Sequence, residues 1–200
     1  MGGKRKKRRT HVKEPDTVGT VPRSFVLASG QAGKSVRDLV HDFRRLLEPN
    51  TAVRLQDKSS NRLKDFVSLA GPFGVTHLVL FRQTDAGTNV RLARMPRGPT
   101  LQFRVEKYTL AHDVLAAQKK QRATGAEFKT APLLVLNGFN DEKDNKLKLM
   151  STFFQNMFPP INVKEMKLAS VRRVVLINYN AATGKGQSTA CCQPWIIKSK

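Results

Sequence analysis

The residues best placed to do chemistry are Ala28-Ser29-Gly30-Gln31-Ala32-Gly33-Lys34-Ser35, which match a relaxed phosphate-binding loop with Ala in place of the first Gly. In such a loop backbone N–H groups cradle phosphates, the Lys reaches the β and γ positions, and the Ser hydroxyl holds Mg²⁺. The chemistry also needs an acidic residue at the end of a neighbouring apolar strand. Here Leu78-Val79-Leu80-Phe81 runs into Arg82, and Leu133-Leu134-Val135-Leu136 runs into Asn137. Two readings stay open: a nucleotide site, or a strand-to-helix turn whose first amides can take an anion such as an RNA phosphate.

Other catalytic patterns are weaker. His11, His41, His77 and His112 are scattered without a ligand partner at metal spacing, and the adjacent Cys191 and Cys192 make neither a disulfide framework nor a tetrahedral site. Asp141, Glu142 and Asp144 cluster where a long helix begins, which suits capping and the helix dipole. No nucleophile elbow or acid/base pair is present, so the expectation is a protein that is not an enzyme, with no catalytic residues, no metal and no cofactor.

Charge points elsewhere. The 200 residues hold 36 Lys plus Arg against 15 Asp plus Glu, a formal charge of +21, with 40% hydrophobic residues to build a core. Lys4, Arg5, Lys6, Lys7, Arg8 and Arg9 are consecutive, a run that suits importin or RNA. A second concentration, Arg91, Arg94, Arg97, Arg104 and Lys107, falls on an expected hairpin, and a third, Lys119, Lys120, Arg122 and Lys129, falls in an expected loop. Arginine grips phosphate through parallel donors and stacks on unpaired bases. On strand parity Arg91 and Arg97 are odd while Arg94 and Arg104 are even, so all four are not expected on one face unless Pro96 and Gly98 disturb the register. The alternative is solvated edge charge that discourages strand aggregation.

These groups need positioning elements. Residues 1–23, with eight basic and two acidic residues, read as a basic disordered tail, and no stretch is apolar enough to span a membrane. From Ser24 the chain reads as a mixed α/β domain. Strands are expected at Ser24–Leu27, Thr51–Leu55, Val75–Phe81, Val90–Met95, Leu101–Tyr108, Leu133–Leu136 and Val171–Ile177. Helices are expected at Lys34–Leu47, Asn61–Ala70, Leu110–Lys120 and Lys143–Phe158, the last burying Leu147, Met150, Phe154, Met157 and Phe158. Residues 181–200, polar and Gly-rich before an isolated Trp195-Ile196-Ile197, read as a divergent, disordered C-terminal tail.

Leu47-Glu48-Pro49-Asn50-Thr51-Ala52, Asn61-Arg62-Leu63-Lys64-Asp65-Phe66-Val67 and Gly71-Pro72-Phe73-Gly74-Val75-Thr76-His77 together resemble the Peter Pan/Ssf branch of the Brix-domain family. Pro96-Arg97-Gly98-Pro99-Thr100-Leu101-Gln102-Phe103 resembles its hallmark segment, and Pro132-Leu133-Leu134-Val135-Leu136-Asn137-Gly138-Phe139 adds to the match. The resemblance implies a domain over 24–180 made of two anticodon-binding-like α/β halves, the first at about 24–131 and the second beginning at 132–180. It implies a nucleolar assembly factor that binds pre-ribosomal RNA during maturation of the large (60S) ribosomal subunit. Its partners would be that RNA, other large-subunit assembly factors in the pre-ribosome, and importin through the basic tail. Arg97 and Arg104 lie where the family is basic too. After Asn180 the likeness is expected to stop, as in a truncated or alternatively spliced chain, leaving the second half incomplete and Leu147, Phe154 and Val174 without covering strands. Beside the assembly factor stand two other readings: a protein-binding fragment that interferes with or regulates assembly, and a P-loop nucleotide hydrolase.

Overall fold

A computed structural model describes residues 21–56, 61–119, 125–139, 144–160, 172–180, 185–191 and 195–199. Lys4 to Arg9, Lys120, Arg122, Asp141 and Glu142 lie outside them. The elements run β1 (Arg23–Ser29), α1 (Lys34–Leu46), α2 (Leu63–Ala70), β2 (Val75–Thr84), β3 (Gly87–Arg94), β4 (Thr100–Lys107) and α3 (Ala111–Ala117). A 3₁₀ turn (Ala126–Lys129) leads to β5 (Leu133–Asn137), α4 (Asn145–Met157), β6 (Val174–Asn180), β7 (Lys185–Cys191) and β8 (Trp195–Ser199).

All eight strands form one sheet in the order β1-β2-β3-β4-β8-β7-β6-β5. The order contains the same unit twice. β1 pairs with β2 in parallel across α1, then β2, β3 and β4 run antiparallel; β5 pairs with β6 in parallel across α4, then β6, β7 and β8 run antiparallel. β4 and β8 join the units antiparallel, at Val105 with Ser199 and Lys107 with Lys198.

This differs from the expectation for 181–200. β7 and β8 are the strands that the second unit was expected to lack, so its four-strand pattern repeats that of the first. Lys185–Cys191 has the composition of a linker, yet its whole length pairs with β6 from Asn180 with Lys185 to Val174 with Cys191. Strand pairing uses backbone N–H and C=O groups that every non-proline residue carries, so a neighbour can recruit a segment whose own propensity is weak. The reverse holds at Thr51–Leu55, where the expected strand reduces to one bridge between Thr51 and Ser24.

Alternation along the strands sorts the side chains. On one sheet face Val26, Val79, Leu92 and Leu101 form one cross-strand row, and Ala28, Phe81, Val90 and Phe103 the next. Val36, Leu39 and Val40 of α1 cover this face, their three- and four-residue spacing placing them on one side of the helix. Phe153 and Met157 of α4, and Phe158 just after it, enter the same core with Val175 and Ile177 of β6. Each such large side chain taken fully from water contributes roughly 2 kcal/mol. The buried residues of α4 are Leu147, Phe153 and Met157, whereas Phe154, expected at the centre, is partly buried and lies 6.3 Å from Phe103 of the first unit. One core thus spans both units, and Leu147, expected without cover, is 3% exposed. On the opposite face Phe66 and Ala70 of α2 pack on Phe25, Leu27, Leu78 and Leu80.

Polar ties fix the helices. Arg44 of α1 donates from Nε to Val26 O at 3.0 Å and from Nη1 to Leu55 O at 2.7 Å. Asp42 accepts from the Ala111 amide at 3.0 Å, holding the start of α3, although burial raises its pKa. Asp144 caps α4 by accepting from the Lys146 amide at 2.9 Å, the role expected for it from sequence.

His77 is a cost within this core. It is 1% exposed, its Nδ1 lies 2.8 Å from Thr76 Oγ1, its Nε2 has no hydrogen-bond partner, and its ring meets Phe153 edge-on at 5.2 Å. Burial first, and the Arg94 charge second, push its pKa down to about 4. The folded state therefore binds this proton less readily than the unfolded chain, whose pKa is near 6.5, so stability is complete above that value and falls as pH drops toward 4. The expected loss between pH 7.5 and 5 is about 2 kcal/mol, read from urea midpoints, and His77→Phe should remove that part of the pH dependence.

Candidate nucleic-acid interface

The second face of the first unit changes character from one side to the other. Its rows read Phe25, Leu78, Ala93, Thr100, then Leu27, Leu80, Arg91, Gln102, then Ser29, Arg82, Asn89, Arg104. The eight-residue α2 covers the apolar β1–β2 side. The β3–β4 side is left to Arg91, Gln102 and Arg104, all exposed, with Arg82 of β2 exposed between Ser29 and Asn89 in the last row.

Two of these guanidinium groups are held by neighbours. Arg91 Nε donates to Gln102 Oε1 at 3.2 Å across the β3–β4 ladder. Arg104 Nη2 donates to Ala86 O, so the arginine braces the β2–β3 turn while its other nitrogens remain at the surface. A side chain that starts in place loses less rotamer entropy on meeting a phosphate. Glu106, one row beyond Arg104, is the acidic residue of the same face.

The four hairpin arginines do not all share one face, as strand parity implied, but which of them stand together depends on the register between strands. Residue numbers paired between β3 and β4 sum to an odd value, as in Asn89 with Arg104 and Arg91 with Gln102, so an odd position on β3 and an even one on β4 share a face. Arg91 and Arg104 are therefore together. Arg94 lies on the opposite face, in the row of His77, and Arg97 sits exposed in the β3–β4 turn. Lys107 is exposed where β4 meets β8, and Lys119 is exposed just beyond α3. The five hairpin cations thus divide between two faces, a turn and a strand end. Arg82, Asn89 and Gln102 complete the face and were missed; the alternation of Val79, Phe81 and Gln83 against Leu80 and Arg82 was the available signal.

The loop at 28–35 has the strand before it and the helix after it that a phosphate-binding loop requires, and Gly30 takes φ 78° directly after β1. However, the Gly33 amide at the start of α1 donates to Gln83 Oε1 at 2.8 Å. The end of β2 thus fills one of the donors that would face a phosphate. Beside Ser29 in the parallel register stands Arg82, a cation where a metal-holding carboxylate would be needed. The turn reading fits this geometry.

With the fold and its exposed cations in place, relatives can be compared. The chain is 44% identical to Protein Peter pan of Drosophila melanogaster over 189 residues, covering 92% of this chain and 41% of that protein. It is 40% identical to Ribosome biogenesis protein SSF2 of Saccharomyces cerevisiae over 200 residues, covering 92% of this chain and 44% of that protein. The chain spans less than half the length of the curated relatives it matches. A crystal structure of a probable ribosomal biogenesis protein from Aeropyrum pernix K1 superposes with a TM-score of 0.58 at 12% identity, covering 89% of this chain and 95% of the other. That likeness is one of fold, and it takes in the paired α/β units described above. The Brix domain family model matches residues 30–194, passing Asn180, where the likeness was expected to stop, and running through β7. Both units, and not the first alone, therefore carry the family pattern, and the chain belongs to the Brix-domain family.

Proposed function

We propose that this chain works in assembly of the large (60S) ribosomal subunit by binding pre-ribosomal RNA, without catalysing a reaction. The observation that carries the proposal is the 40–45% identity, over about nine-tenths of the chain, to proteins that include one named for ribosome biogenesis. The exposed Arg82, Arg91 and Arg104, together on one face, and the +21 formal charge support an RNA partner. Arg97, Arg94, Lys107 and Lys119 would add phosphate contacts from the surrounding edges. Lys4 to Arg9 would serve importin and RNA, and the site of action would be the nucleolus, among other large-subunit assembly factors.

Ultraviolet crosslinking in intact cells, with stringent salt washes and sequencing of the attached RNA, tests the proposal. Crosslinks clustered on large-subunit precursor RNA are expected; a scatter over unrelated RNA would contradict it. In vitro, affinity for RNA should fall steeply with salt as counterions are released, and deletion of Lys4 to Arg9 should flatten that slope. The hydrolase reading predicts nucleotide binding that Lys34→Ala abolishes. With the Gly33 amide on Gln83, no such binding is expected.

A further inference from the structure

The cross-strand rows of the α2 face say what form of RNA the proposed site suits. Arg82, Asn89 and Arg104 lie in one row and Arg91 and Gln102 in the next, on three adjacent strands, Asn89 half-buried and the other four exposed. With strands about 4.8 Å apart, Arg82 and Arg104 stand roughly 10 Å from each other, and Arg91 is offset along the strands by about 7 Å. The result is a shallow platform whose reach is set by guanidinium and carboxamide groups. Such groups grip phosphate oxygens and can donate to, or accept from, a ribose hydroxyl.

A sheet that holds single-stranded RNA instead places aromatic rings on its open face, where splayed bases stack. Here the rings of the central strands, Phe81 and Phe103, are on the other face, under α1 and α4, where Phe81 meets Phe43 at 5.4 Å and Phe103 meets Phe154 at 6.3 Å. The exposed ring on the α2 side, Phe73, lies beside Phe25 at the far edge of the sheet, two rows from Arg82. Hydrogen-bond donors with no exposed aromatic ring beside them among the described side chains match a partner whose bases are already paired and whose backbone and 2′-hydroxyls are outermost. A-form duplex RNA presents these groups across its wide, shallow minor groove.

We infer that the β2–β4 face bearing Arg82, Asn89, Arg91, Gln102 and Arg104 docks the backbone of a double-helical RNA segment, reading shape and not base sequence. The inference rests on the RNA-binding function proposed above and adds the form of RNA and the residues that meet it. Arg104 also braces the β2–β3 turn, so the informative substitutions are Arg82→Gln and Arg91→Gln, which leave that brace in place.

The test compares the full chain with the Arg82→Gln/Arg91→Gln double variant, by fluorescence anisotropy, on a 20-base-pair RNA hairpin and on an unstructured single strand of equal length. Circular dichroism and melting temperature confirm that the variant is folded. The expected result is at least a tenfold loss of affinity for the hairpin, less than threefold for the single strand, and a salt slope on the hairpin shallower by about 2, one unit for each phosphate contact removed. Equal losses on both RNAs would overturn the duplex assignment while leaving RNA binding intact. Unchanged affinity on both would remove this face from RNA contact and leave it to a protein partner. Failure of the unaltered chain to bind either RNA would instead strike the function proposed above, and the inference with it.

Discussion

Replacing Arg173 with methionine is expected to destabilise the protein by about 3–5 kcal/mol, more than any surface arginine substitution. Arg173 precedes β6 in the second unit and is 5% exposed. Its Nη1 donates to Arg45 O at 3.1 Å and Leu46 O at 3.2 Å, and its Nη2 to Glu48 O at 2.6 Å and Thr130 O at 2.7 Å. Three of these carbonyls belong to the end of α1 or the turn after it, where a helix leaves its last C=O groups unsatisfied and its dipole favours a cation. The guanidinium also lies 4.8 Å from the centre of the Phe128 ring, which Arg45 approaches at 4.9 Å. One side chain of the second unit thus closes the main helix of the first. Methionine keeps the aliphatic volume but takes this donor from four part-buried carbonyls, of which Arg45 O still accepts from the Glu48 amide at 3.3 Å. Arg173→Lys retains the charge without the planar fork, so it should recover less than half the loss. Thermal melts of the full chain check this, with a fall of roughly 10 °C expected for Arg173→Met at this chain length. A fall of 2 °C or less would show that the two units hold together without it.

The second large effect is expected at Gly138, and a matched control exists in the other unit. Gly30 follows β1 with φ 78° and Gly138 follows β5 with φ 81°, equivalent places in the repeated pattern. Both therefore impose the left-handed strain of a Cβ, about 1–2 kcal/mol for alanine. Space differs. A Cβ at Gly30 would meet nothing within 4 Å, whereas at Gly138 it would fall on the backbone carbonyl oxygen of Tyr179, which β6 holds in place. Gly138→Ala must shift a strand as well as bear the strain, so about 3–4 kcal/mol is expected against about 1–2 kcal/mol for Gly30→Ala. Urea denaturation of the two variants side by side measures the difference. Equal midpoints would mean that the close approach at Tyr179 relaxes without cost.

Much of the first unit was legible because its signals are local. Val36, Leu39 and Val40 declare one side of a helix, Val75 to Phe81 declares a strand covered on both faces, and Pro96 and Gly98 declare the turn between β3 and β4. The family was legible too, since long ordered matches such as Pro96 to Phe103 and Pro132 to Phe139 are far more specific than a short pattern such as Ala28 to Ser35. Composition also carries +21 of formal charge, a ground for the RNA partner proposed above, although not for where that partner would sit.

What the sequence could not settle was everything that depends on which strand lies beside which. Lys185–Cys191 and Trp195–Ser199 become strands through backbone pairing with β6 and β4, a property of their neighbours and not of their own composition. Arg91 and Arg104 share a face through the register of β3 on β4, while Arg94 falls on the other side, where its charge adds to burial in lowering the pKa of His77. Arg173 is an unremarkable basic residue until the fold brings it 128 positions back along the chain to the end of α1. Periodicity and turn chemistry act over a few residues and are written in order along the chain, so the sequence by itself determined the α/β class, the elements of the first unit apart from the strand expected at Thr51–Leu55, and the basic character. Register, face and long-range closure are decided by contacts between distant segments, and only the tertiary structure could assign them.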